Sequence, residues 1–186
     1  MMVDVEQTFQ TGLIHLEHGQ YDKAIKCFFL VTRANPTCAE AHCNMGFCYS
    51  QKGEYELAIA NFNTAIQLCP NDATTYYNRG NCYFDQDDTN NAILDFTQVI
   101  NLEPNFLDAY LNRALIYIGK NDFERAFIDL NQAISIDNEC ADAFYHRGLL
   151  YLKIGDKNRA REDILKAYQL DPEIVSEHIE DMLREE

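Results

Sequence analysis

The chain has 186 residues, 47% of them hydrophobic, enough for a packed core of ordinary domain size. Thirty acidic residues stand against 15 basic ones, a net charge of -15, and that repulsion disfavours general nucleic-acid binding and anchoring on anionic membranes. The seven cysteines, an odd count with no C-x-x-C pair, read as small buried hydrophobes of a reducing compartment rather than a disulfide framework.

At the start, MMVDVEQTFQ has no basic n-region and no apolar h-region, so no secretory signal is expected. No run approaches the roughly 18 apolar residues of a membrane span, and a cytoplasmic location follows as the expectation.

From Val5 onward the chain repeats every 34 residues without insertion or deletion. In the first unit, 5–38, a helix with Gly12 and His15 ends at Gly19. A second helix with Ala24 and Phe28 ends at Pro36. The second unit, 39–72, has His42, Met45, Gly46 and Tyr49 on one helical face, then a break at Gly53. Tyr55, Ala58, Ile59, Phe62, Ala65 and Ile66 form the next stripe, closed by Pro70. The third unit, 73–106, aligns Gly80, Tyr83, Asp87, Ala92, Phe96 and Pro104. The fourth, 107–140, aligns Ala114, Tyr117, Asn121, Ala126, Leu130 and Asn138. The fifth, 141–174, aligns Gly148, Tyr151, Gly155, Ala160, Ile164 and Pro172. The first break falls on residues that best tolerate a left-handed helix end, the second on residues that end a helix. Each unit is therefore helix, tight turn, helix, turn, and the fold class is all-α. In 175–186, Val175, Ile179, Met182 and Leu183 make one apolar stripe beside an acidic side, which suits a capping helix; a dimerisation face is the alternative.

The pattern, Gly/Ala then Tyr in the first helix, Ala-x-x-x-Phe in the second, then Pro, resembles the tetratricopeptide repeat. The tryptophan common early in that repeat is Thr8, His42, Tyr76, Tyr110 or Phe144 here. Unit one departs most, with Thr8, Thr11 and His15 at core positions, as suits a terminal unit. The resemblance implies a single domain, a right-handed superhelical α-α solenoid whose first helices line a concave groove.

Residues that the resemblance assigns to that groove are counted from the start of each unit. Position 5 gives Phe9, Cys43, Tyr77, Leu111 and Tyr145. Position 6 gives Gln10, Asn44, Asn78, Asn112 and His146, similar to the asparagine ladder that holds an extended peptide backbone in some members. Position 12 gives Leu16, Ser50, Phe84, Ile118 and Leu152. Position 9 gives Leu13, Phe47, Asn81, Leu115 and Leu149, where the family usually has a polar residue. Four large apolar side chains there read either as a binding strip or as packing between adjacent first helices. Expected partner-binding residues are Phe9, Leu13, Asn44, Phe47, Tyr77, Asn78, Asn81, Phe84, Leu111, Asn112, Leu115, Ile118, Tyr145, His146 and Leu149.

The carboxylate clamp of chaperone adaptors in this family is not expected. Its positions hold Tyr77, Asn81, Asn112, Asp142 and His146, so both amides are present and every cation is missing. Arg79, Arg113 and Arg147 recur at position 7 and suit a structural bridge between helices. Glu6, Glu17, Glu40, Asp85, Asp108 and Asp142 border the groove and would suit a peptide or amphipathic helix with basic flanks.

No phosphate-loop, dinucleotide, zinc-protease or nucleophile-elbow motif occurs, and the five histidines have no metal-site spacing. No catalytic residue, metal or cofactor is expected. The reading is a non-catalytic scaffold or adaptor that binds another protein. A self-assembling oligomeric scaffold is one alternative; a co-chaperone resembling the acidic secretion chaperones of this family is the other.

Overall fold

The computed structural model describes residues 4–174, so the cap expected over 175–186, with Val175, Ile179, Met182 and Leu183, lies outside the described residues. Among the described residues there are ten α-helices, one short 3-10 turn and no strand, in keeping with the all-α expectation. The described residues fall into two compact units, divided between Glu103 and Pro104.

The first unit holds three antiparallel helix pairs. They are α1 (Val5–Glu17) with α2 (Tyr21–Ala34), α3 (Ala39–Gln51) with α4 (Tyr55–Leu68), and α5 (Ala73–Asp85) with α6 (Thr89–Leu102). Pairs stack through α2 on α3 and α4 on α5. The second unit holds α7 (Leu107–Gly119) with α8 (Phe123–Ile136) and α9 (Ala141–Lys153) with α10 (Lys157–Leu170), stacked through α8 on α9. The 3-10 turn Pro172–Ile174 follows, and Ile174 packs against a cluster containing Ile164 and Ala167.

The turn inside each pair closes the same way. Gly19, Gly53, Asp87, Asn121 and Gly155 all have positive φ, between 58° and 84°. The next residue's N–H then reaches back to the carbonyl of the repeated aromatic position: Gln20 to His15, Glu54 to Tyr49, Asp88 to Tyr83, Asp122 to Tyr117, Asp156 to Tyr151. This bond satisfies a carbonyl that the helix end would otherwise leave open. Asp88, Asp122 and Asp156 then cap the following helix, accepting from the backbone N–H of Asn91, Arg125 and Arg159.

The close approach within a pair rests on a small residue opposite a large one. A Cβ on Gly46 would lie 2.8 Å from the Phe62 ring and 3.1 Å from the Ala58 carbonyl oxygen. Gly12, Gly80 and Gly148 stand in the same relation to Phe28, Phe96 and Ile164. The fourth pair uses Ala114 with the smaller Leu130, both fully buried. The methyl gained on one helix is matched by the ring lost on the other.

Candidate protein-binding face

The first helix of each pair presents the repeated positions 5, 6, 9 and 12 along one side. In the first unit, Phe9 is buried, Leu13, Asn44, Phe47, Tyr77, Asn78 and Asn81 are half-buried, and Phe84 is exposed. In the second unit, Leu111, Asn112, Leu115, Ile118, Tyr145, His146 and Leu149 are all half-buried.

Position 9 has a double character. Leu13 packs on the cluster of Phe9, Ala41, Met45 and Cys48, which spans the first two pairs. Phe47 packs on Ala58, Phe62 and Cys82, which spans the second and third. Yet each also lines a surface pocket. One, of about 300 Å³, lies at the start of the unit and includes Val5, Glu6, Phe9, Gln10, Leu13 and Glu40. The other, of about 290 Å³, lies between α3 and α5 and is lined by Phe47, Ser50, Gln51, Asn78, Asn81, Cys82, Phe84 and Asp85. Of the residues expected at a partner site, Phe47, Asn78, Asn81 and Phe84 thus meet in one pocket, and Phe9 and Leu13 in the other. Ser50, Glu6 and Asp85 join them; they share the helix face at one-turn spacing, which is the signal that marks them in the sequence.

The charges of this face are one-sided. Helices α1, α3 and α5 carry four carboxylates, Glu6, Glu17, Glu40 and Asp85, and one cation, Arg79. That cation is committed. Its Nε and Nη2 donate to the two Asp95 carboxylate oxygens at 2.8 and 2.7 Å, and its Nη1 donates to Asn63 Oδ1. Arg113 makes the same fork with Asp129, at 2.8 and 2.7 Å. Arg147 does so with Asp163 and also reaches Asn131 Oδ1 at 2.7 Å. Each aspartate sits on the second helix of its pair, and Asn63 and Asn131 lie on the preceding pair, so these arginines tie helices together. The three buried aspartates, each 16 residues after its arginine, are what sequence reasoning missed.

Five of the thiols are held away from covalent chemistry. Burial raises the thiol pKa of Cys27, Cys43 and Cys140, pushes Cys48 up to about 11, and, with the nearby Asp85 carboxylate, pushes Cys82 up to about 12. A thiol held protonated is a poor nucleophile. Among the described residues no group of three His, Cys, Asp or Glu is arranged to hold a metal ion. No helix among them is long and apolar enough to cross a membrane.

Family profiles match across these pairs. A TPR repeat profile covers 48–87, a tetratricopeptide repeat profile covers 73–106, and another covers 107–140 and 141–174. The chain belongs to the tetratricopeptide repeat family. Members are in general non-catalytic interaction scaffolds, and nothing here points to an enzyme. A crystal structure of MamA is similar at 25% identity, over 94% of this chain and 98% of that one, with a TM-score of 0.82. MamA from Desulfovibrio magneticus RS-1 has 21% identity over 95% and 100%, with a TM-score of 0.84. YrrB, described as a TPR protein with an unusual peptide-binding site, has 18% identity over 96% and 92%, with a TM-score of 0.80. No curated protein sequence matches the chain.

Proposed function

We propose that this tetratricopeptide repeat chain is an adaptor that holds a peptide or amphipathic helix of a partner protein on its first-helix face, in a reducing cytoplasm. The observation that carries the reading is the combination on α1, α3 and α5 of half-buried apolar side chains, two pockets and four carboxylates whose only companion cation is already paired. Such a face favours a segment with apolar anchors and basic flanks. Asn44 and Asn78, on successive first helices of the first unit, offer amide donors and acceptors at one-repeat spacing, suited to an extended backbone. The peptide-binding site for which YrrB is described gives the same fold a related use.

The test is site-specific photo-crosslinking. A benzophenone amino acid replaces Asn44 or Asn112 on first helices, or Leu94 or Ile128, which are 65% and 61% exposed on second helices. The reading expects discrete protein adducts from the first-helix sites in native cytosol and none from the second-helix sites. Adducts confined to Leu94 and Ile128 would overturn it. Adducts whose mass is that of a second copy of the chain would instead favour self-assembly.

A further inference from the structure

The pocket between α3 and α5 has a chemistry more specific than an apolar groove. It brings together two aromatic rings, Phe47 and Phe84, two side-chain amides, Asn78 and Asn81, and the carboxylate of Asp85. Phe84 is 39% exposed. Asp85 is the last residue of α5, where the helix dipole disfavours negative charge. Its effect reaches its neighbours: with burial and a hydrogen bond to the same carboxylate as lesser causes, it holds the Tyr55 phenol pKa above its ordinary value. Among the described residues no lysine or arginine pairs with Asp85.

The chain shows how it houses a guanidinium. Arg79 has a carboxylate fork from Asp95, an amide oxygen from Asn63, and the Tyr76 and Tyr83 rings at 5.5 and 5.8 Å. Arg147 has Asp163, Asn131 and the Phe144 ring at 5.5 Å. Carboxylate, amide oxygen and aromatic face recur each time. The planar guanidinium uses all three, two by hydrogen bonding and one by stacking. The α3–α5 pocket is lined by the same three kinds of group.

We infer that this pocket is a recognition site for an arginine side chain of the bound partner segment, with Asp85 pairing the guanidinium and Phe84 stacking on it. The inference rests on the proposed first-helix binding face and names what part of that face reads.

Fluorescence anisotropy tests it on the full chain. The probes are a short labelled peptide with one arginine between apolar flanks and the same peptide with citrulline, the neutral isostere. The arginine peptide should bind roughly tenfold more tightly or better. Asp85→Asn should remove that difference, leaving citrulline binding unchanged, and Phe84→Leu should weaken only the arginine peptide. Both variants alter surface side chains, and their helicity and melting temperature verify the fold. Equal binding of the two peptides, no binding of either, or an Asp85→Asn variant that keeps the preference would overturn the inference. If both peptides bind equally but Leu13→Ser, in the other pocket, weakens both, the binding face survives and the arginine site alone fails. If Leu13→Ser changes nothing as well, the face itself is in error.

Discussion

The guanidinium of Arg79 on α5 grips both carboxylate oxygens of Asp95 on α6, and the aspartate is only 4% exposed. A buried, two-bond pair of this kind fixes how one helix lies on the other, because neither charge can be left alone.

Removing one partner should therefore cost far more than removing both. Asp95→Ala is expected to destabilise by about 3–5 kcal/mol, as for a broken buried pair. Arg79→Met with Asp95→Leu should recover most of that loss. Urea unfolding of the wild type, single and double variants checks it; a double variant no better than Asp95→Ala would show that the pair is not what fails.

Two glycines in the second repeat have different reasons to be glycine. Gly53→Ala should cost about 1–2 kcal/mol through its φ of 74° alone, since nothing lies within 4 Å of the added methyl. Gly46→Ala meets the Phe62 ring at 2.8 Å and should cost about 1–3 kcal/mol by overpacking. Phe62→Leu should relieve that clash, since Ala114 and Leu130 form the same pair in the fourth repeat. A double-mutant cycle by thermal or urea unfolding should give favourable coupling between the two changes. Additive losses would contradict the packing argument.

Phe62 itself is fully buried at the join of the second and third pairs. Phe62→Ala should cost roughly 3–5 kcal/mol. A loss under about 1 kcal/mol in urea unfolding would mean the site collapses around the cavity.

His146 gives a pH dependence. Burial lowers its pKa below 6.5, against a smaller opposing pull from Asp142. The unfolded chain then takes up the proton first. The stability contributed by the neutral ring is present above pH 6.5 and is lost as pH falls through 6.5 toward the folded value. Between about pH 7.5 and 5.5 the wild type should lose more stability than His146→Asn. Parallel pH profiles for the two proteins would show that the ring is not desolvated enough to matter.

The period was plain in the sequence because packing demands it. Ala24, Ala58, Ala92, Ala126 and Ala160 are all fully buried, and only a small residue fits where the paired helices touch. The bridging of helices by Arg79, Arg113 and Arg147 was legible from their shared position. Their partners were harder to see, since aspartate in a helix reads by default as a solvated residue. A signal was nevertheless present: the first two repeats hold Thr11 with Cys27 and Met45 with Asn61 at the same two positions, so both charges come and go together. Position 9 resisted a single reading for a different reason. Periodicity gives the face of a helix that a residue occupies, not how far the next helix covers it. Leu13 and Phe47 are partly covered and partly open, so packing and pocket lining coexist in one side chain.

The claim that matters most is that the first-helix face holds another protein. It is tested most directly by affinity capture from native cytosol, comparing the wild type with a Phe84→Ser/Leu115→Ser double variant of verified helicity and melting temperature. The account predicts that specific partners of the wild type are lost by the variant. A folded variant that retains every partner would contradict it and move the binding surface to the second helices.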